Sequence, residues 1–131
     1  MFDQYKLKLL VVYGSQAKNT ADKFSDIDLA VLGHNNIDFS EIVDITNMCM
    51  DIFSSNKIDL KSLHHQSPLF LYEVMMNSRL LNGTEYDYES LKSYVFKLYN
   101  DSRDLLQIKE SIIKKRLSKL NDKQPAVIGK N

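Results

Sequence analysis

The sequence predicts a single α/β (α+β) domain, a small β-sheet covered by helices and continued by a long C-terminal helical region. Two observations carry that expectation. Three strand-like runs, residues 6–13, 26–32 and 57–63, all lie in the first half of the chain, with a helical pattern between the second and third. Everything after them repeats its apolar residues at helical spacing, so the strands are few and the cover is helical. The length of 131 residues suits one domain with a core that needs neither disulfides nor a structural metal.

Residues 6–13 (KLKLLVVY) are a short apolar run rich in Leu and Val and bounded by Gly14, which reads as a buried strand. Residues 15–24 are polar and read as a short helix passing into a loop. Residues 26–32 (DIDLAVL) read as a second strand, stopped by the turn-forming Gly33-His34-Asn35-Asn36. Residues 39–53 show helical spacing, with Ser40 or Asp38 as the cap. Residues 57–63 (KIDLKSL) alternate polar and apolar side chains, as a half-buried third strand does. Ser67-Pro68 reads as an N-cap followed by proline at the first helical position, opening a helix to about Leu81 that Asn82-Gly83 closes. Residues 87–120 carry one long helical pattern whose stripe lapses at Asn100-Asp101-Ser102, giving two helices or one kinked helix. The last ten residues read as a flexible tail.

Composition narrows the function classes. Apolar residues make up 44% and charged residues 26%, the balance of a globular domain. Seventeen basic residues match seventeen acidic ones, which argues against direct nucleic-acid binding by the chain as a whole. No apolar run is long enough to span a membrane, and no secretory leader opens the sequence. The single Cys49 forms no internal disulfide, so the expected setting is reducing and cytoplasmic.

The chemistry concentrates on acids. Asp26 and Asp28 stand two apart in a strand, so both carboxylates project from one face while Ile27 and Leu29 point the other way. Carboxylates held together repel, and burial makes the repulsion worse. A hard divalent cation relieves it, and Mg²⁺ is typically held by one or two carboxylates plus substrate phosphates. Asp59, in the middle of the next strand, joins the same face if the two strands pair. Three acids around two metal ions can clamp the attacking and leaving oxygens of a phosphoryl or nucleotidyl transfer. Gly14-Ser15 ends the first strand at a helix start, where a glycine lets backbone approach a phosphate closely and exposed N–H groups attract it. Lys18, one helical turn on, adds a positive charge for phosphate. Taken singly, each piece also fits an ordinary turn or solvated strand face; their order and spacing are specific together.

Gly14-Ser15-Gln16-Ala17-Lys18-Asn19 followed by Ser25-Asp26-Ile27-Asp28-Leu29 resembles the signature of the nucleotidyltransferase superfamily that includes DNA polymerase beta: Gly-Ser, a short spacer, then Ser-Asp-x-Asp-Leu. Within it the sequence most resembles the minimal nucleotidyltransferase (MNT) antitoxins, which pair with HEPN-domain ribonuclease toxins. Ile58-Asp59-Leu60 matches their third-acid strand, and the likeness spans roughly residues 7–86. The common Arg-Gly of the motif is Lys18-Asn19 here, which keeps the charge but loses the bidentate fork.

The resemblance implies a small mixed sheet of the nucleotidyltransferase fold over residues 1–86, a helical extension over 87–121 packed on the same domain or on a partner, and the tail at 122–131. It implies that Asp26, Asp28 and Asp59 hold two Mg²⁺ ions, with Asp59 favouring deprotonation of the acceptor hydroxyl. Gly14, Ser15, Lys18 and Ser25 would bind the nucleotide. The implied reaction transfers AMP from ATP to a tyrosine of a HEPN toxin, in a hetero-oligomer with that toxin. Two other readings remain open: an antitoxin acting mainly by occluding its partner, and a transferase acting on a small molecule or nucleic acid. No His follows Arg79, Arg103 or Arg116 to make the Arg-x4–6-His motif of the toxin itself.

Other features read as structural. His64-His65 and His34 fit polar loops. Tyr86, Tyr88, Tyr94 and Tyr99 divide between helix packing and a partner surface. Lys109, Lys114, Lys115, Arg116 and Lys119 suit the C-terminal end of a helix dipole.

Overall fold

The computed structural model describes residues 2–14 and 26–123, with side chains described as far as residue 120. The chain divides into two compact units, Met1–Lys97 and Leu98–Asn131. The expected short helix at 15–24, and all but the start of the expected tail, lie outside the described residues.

The first unit contains, in chain order, β1 (Leu7–Tyr13), β2 (Ile27–Gly33), α1 (Phe39–Phe53), β3 (Ile58–Ser62), α2 (Pro68–Met76), β4 (Ser78–Asn82) and the start of α3 (Glu85–Lys123). Its four strands form a mixed sheet in the order β3-β2-β1-β4. β1 runs antiparallel to both β2 and β4, whereas β2 and β3 are parallel. A parallel pair needs a crossover, and α1 supplies it.

The central strands explain their own sequences. Leu10 and Val12 of β1, with Leu29 and Val31 of β2 and Leu60 of β3, pack under Ile45 and Cys49 of α1. Leu9 and Val11, with Ala30, face the other way and pack against Val74 and Met75 of α2 and Tyr88 and Val95 of α3. Buried on both faces, β1 reads as a continuous apolar run, whereas the edge strand β3 alternates. Complete burial of side chains such as Leu9, Ile45 and Met75 stabilises by about 1.5–3 kcal/mol each.

Caps fix the helix starts. Asp38, not Ser40, caps α1: its carboxylate accepts from the Glu41 N–H at 2.9 Å, while Glu41 accepts from the Asp38 N–H at 3.2 Å. Ser67 caps α2 by accepting from the Phe70 N–H at 3.2 Å, with Pro68 at the first helical position.

The expected helix to Leu81 is corrected here. α2 ends at Met76, and the following residues form β4, with Val11 opposite Leu80, Val12 opposite Arg79 and Tyr13 opposite Ser78. The free edge of β1 offers unpaired backbone groups, and pairing with them outweighs extending the helix by roughly one and a half turns. Ser78 Oγ donates to the Met75 carbonyl at 2.8 Å and Asn77 Nδ2 to the Glu73 carbonyl at 2.8 Å, closing the helix end that the strand leaves behind. Gly83 ends β4 rather than a helix: its φ is +122° and a Cβ there would meet the Lys8 carbonyl at 2.7 Å.

α3 is one helix across Asn100-Asp101-Ser102 rather than two. In the first unit its Tyr88 hydroxyl donates to the Ser78 carbonyl at 3.0 Å, binding the helix to β4. The second unit contains the remainder of α3, on which Leu105, Leu106, Ile108, Ile112, Ile113, Leu117 and Leu120 are all exposed.

His64 is more than a loop residue. Its Nε2 accepts from the Gly33 N–H at 3.0 Å, tying the loop after β3 to the end of β2. Burial, then the charge of neighbouring His65, hold the imidazole below its ordinary value of 6.5. The unfolded chain therefore binds this proton at a higher pH than the folded chain does. The stability that neutral His64 contributes is present in full above 6.5 and is lost as pH falls from there through the lower folded value. Thermal melts from about pH 8 to about pH 5 should show the wild type losing more stability than His64→Gln, which keeps an acceptor but gains no proton. Parallel losses in the two proteins would refute this.

Candidate active site

The register of the sheet sets one row of side chains across all four strands. Ser78 lies opposite Tyr13, Tyr13 opposite Asp28, and Asp28 opposite Asp59. Alternation puts the whole row on one face. Ile27, Leu29, Ile58 and Leu60 pack under α1, so Asp28 and Asp59 project from the opposite face, which α2 and the start of α3 cover in part. Asp26 precedes β2 in an exposed position.

Electrostatics report the crowding. Burial raises the Asp28 carboxyl above its ordinary value, the charges of Asp59 and Asp26 raise it further, and Lys61 opposes them. Tyr13 is pushed up to about 12, by burial first and then by Asp28 and Asp59. Lys61 Nζ stands 3.5 Å from Asp59 Oδ1, a half-exposed pair. Such a pair contributes at most about 1 kcal/mol, too little to neutralise three acids.

Gly14 turns the chain at the end of β1 with φ +73°, and a Cβ there would lie 3.3 Å from Asp28 Oδ2. Its N–H donates to the Asn77 carbonyl at 3.3 Å, which anchors the turn to the end of α2. Glycine thus leaves the space directly beside the acids open. Among the described residues no three His, Cys, Asp or Glu side chains are drawn close enough to ligate one ion as they stand. The donor set nevertheless fits a hard cation: all its ligands are carboxylate oxygens, and the mutual repulsion that raises Asp28 is what a divalent charge relieves.

The structure thus brings Asp28, Asp59 and Gly14 together, with Asp26 close enough for its charge to act on Asp28. Ser15, Lys18 and Ser25 lie outside the described residues. Sequence reading missed Tyr13 and Lys61. Tyr13 looks like the end of an apolar run, and only its register against Asp28 reveals its place; Lys61 shares the Asp59 face two residues on, which alternation alone could have shown.

Beside the row, between the end of β1 and α2, lies a cleft of about 220 Å³ lined by Tyr13, Gly14, Phe70, Glu73, Val74 and Asn77. A wider hollow along Glu85, Tyr86, Glu89, Ser90 and Ser93 is formed by one helix alone and includes none of Asp26, Asp28 and Asp59. Among the expected tyrosines, Tyr88 is in the core, whereas Tyr86 and Tyr94 are exposed. No described helix is long and apolar enough to cross a membrane.

Comparison with known proteins identifies the family and the fold. A protein adenylyltransferase MntA from Shewanella oneidensis is 28% identical over 94 residues, covering 72% of this chain and 67% of that protein. A chain in the crystal structure of a toxin–antitoxin with AMP-PNP superimposes with a TM-score of 0.68 at 24% identity, over 88% of this chain and 92% of its own. A chain in the structure of the tri-AMPylated Shewanella oneidensis HEPN toxin with its MNT antitoxin gives a TM-score of 0.59 at 24% identity, over 86% and 84%. At these identities the solved structures show a shared fold. The family "Polymerase beta, Nucleotidyltransferase" matches residues 1–87, the stretch that holds all four strands and all three acids. The chain belongs to the polymerase beta nucleotidyltransferase family.

Proposed function

We propose that this nucleotidyltransferase is an antitoxin that transfers AMP from ATP to a tyrosine of a HEPN ribonuclease toxin. The observation that carries the reading is the row Tyr13–Asp28–Asp59 with Gly14 open beside it. The adenylyltransferase similar to this chain and the AMPylated toxin found with a similar fold support the choice of nucleotide and acceptor.

Asp26, Asp28 and Asp59 are the residues to hold Mg²⁺. When bound, the cation would supply charge neutralisation for the phosphates and would polarise the reacting phosphorus. Gly14, with Ser15 following it, admits the β- and γ-phosphates; Lys18 and Ser25 complete the nucleotide contacts. Asp59 accepts the proton of the acceptor hydroxyl. The phenolic oxygen forms a bond to the α-phosphorus, the bond from that phosphorus to the bridging oxygen breaks, and pyrophosphate leaves. The acids favour a protonated Tyr13, so this residue remains a neutral neighbour of the reaction.

Incubated with ATP, Mg²⁺ and its toxin, the wild-type protein should add AMP-sized increments to the toxin's mass, on tyrosine. Asp28→Asn should lower that rate by at least about 100-fold, the scale for removing one group that stabilises transition-state charge. The same variant should melt at a higher temperature, because it removes the repulsion from Asp59 and Asp26. An unmodified toxin in the presence of intact, folded wild-type protein would refute the proposal.

Gly14→Ala places a methyl group 3.3 Å from Asp28 Oδ2 and forces an L-residue to φ +73°. It should cost about 1–2 kcal/mol of stability and weaken ATP binding, measured by chemical denaturation and calorimetry. Unchanged binding would show that phosphate does not approach at this turn.

A second reading, neutralisation by occlusion, is favoured by the exposed apolar side chains of the second unit. The double variant Asp26→Ala, Asp28→Ala separates the two in a growth assay with the toxin expressed. Protection lost with complex formation intact supports catalysis, and protection retained supports occlusion.

A further inference from the structure

We propose that Lys61 is an exchangeable counter-ion of the site, held on Asp59 while no divalent cation is bound and passed to a substrate phosphate when one binds. The inference rests on the nucleotidyltransferase reading. β3 alternates, so Lys61 projects from the same face as Asp59, two residues on. The parallel register sets it opposite Ala30, one step along from the pair Asp28–Asp59. A lysine is long enough to reach back over that step, and its Nζ stands 3.5 Å from Asp59 Oδ1. Its charge also opposes those of Asp59 and Asp26 at Asp28. One ammonium thus acts on two of the carboxylates that a divalent cation would neutralise.

The hold is weak. The side chains of Lys61 and Asp59 are 44% and 49% exposed, so water screens their attraction. A pair so exposed changes an equilibrium by no more than about fivefold. An ammonium on Asp59 repels a cation placed among the acids and covers an oxygen that the cation needs. Lys61 must therefore leave when the cation enters, and its flexible four-carbon stem lets it do so without moving the backbone. In water alone the released ammonium gains little. A phosphate drawn to the same acids by the cation offers it a stronger, charge-assisted partner. Cation and phosphate then bind better together than either does alone, because the first frees the group that the second takes up. The resident ion pair discourages a bare cation and favours one that arrives with phosphate.

Calorimetric titration of the full chain with Mg²⁺, and separately with the preformed complex of Mg²⁺ and tripolyphosphate, tests the exchange. Lys61→Met removes the charge and keeps most of the stem. It should bind Mg²⁺ alone about three- to fivefold more tightly than the wild type, and the complex about three- to fivefold more weakly. Lys61→Arg, which keeps the charge, should stay with the wild type in both titrations. Gains in both, losses in both or no change in either would overturn the proposal. Removing any nearby positive charge also shifts such affinities, so NMR of the lysine ε-methylene groups follows the side chain itself. The Lys61 signal is the one missing from Lys61→Met. Mg²⁺ alone should move it, and tripolyphosphate added to the Mg²⁺-loaded protein should move it again; a signal indifferent to either addition would overturn the exchange. If the wild type binds neither Mg²⁺ nor the complex, the transferase reading falls and the exchange with it; if it binds both and Lys61 does not respond, the exchange alone falls.

Discussion

The parallel pairing of β2 with β3 places two carboxylates side by side, and the site depends on that juxtaposition. Asp28 faces Asp59 across the pair, while their neighbours Leu29 and Leu60 are buried beneath α1. The apolar side chains leave the acids no choice of face, because slipping the register by one residue would bury both carboxylates and expose both leucines. Core packing on one side of the sheet thus enforces charge repulsion on the other. Burial of Ile45, Cys49 and the strand residues under α1 offsets it, and the repulsion persists in the raised Asp28 carboxyl.

The same constraint orders the rest of the unit. A parallel pair requires α1 as its crossover, so the β2–α1–β3 segment is committed to the face opposite the acids. The other face must then be covered by later chain, and α2 with the start of α3 covers it over β1 while leaving the acidic end accessible. β4 seals the free edge of β1, with its Ser78 entering the row and its carbonyl accepting from Tyr88. Gly14 then does two things at once: it turns the chain where no L-residue sits comfortably, and it leaves open the space beside Asp28.

Much of this was legible in the sequence because it rests on local periodicity. The three strand runs follow from local patterning and the Ser67-Pro68 helix start from its cap and proline, whereas Asp26, expected inside the second strand, precedes β2. Asp59 was legible because KIDLKS alternates and β2–β3 pairing then brings the two faces together. What failed was non-local. Ser78–Asn82 carries Leu80 and Leu81 in a run that suits a helix, and only the unpaired edge of β1, more than sixty residues earlier, makes it a strand. His64 looked like a loop residue because its partner, the Gly33 N–H, is 31 residues away. Tyr13 looked like core because its relation to Asp28 exists only across strands.

Charged and core-forming side chains are kept on separate residues of the same strands. In β2, Leu29 and Val31 are wholly buried, whereas Asp28 is only partly so and carries the charge conflict. Period-two alternation is what makes this possible: one strand contributes to the core with every second side chain and to the chemistry with the others. A helix carrying the same acids would distribute them over neighbouring turns, and their spacing would depend on rotamers. Backbone pairing fixes Asp28 beside Asp59 before any ligand arrives, so the ordering of these two groups is part of folding rather than of catalysis. The structure therefore holds its acids in a charge conflict that a bound divalent cation would relieve, so such a cation should stabilise this unit more than contact area alone would suggest.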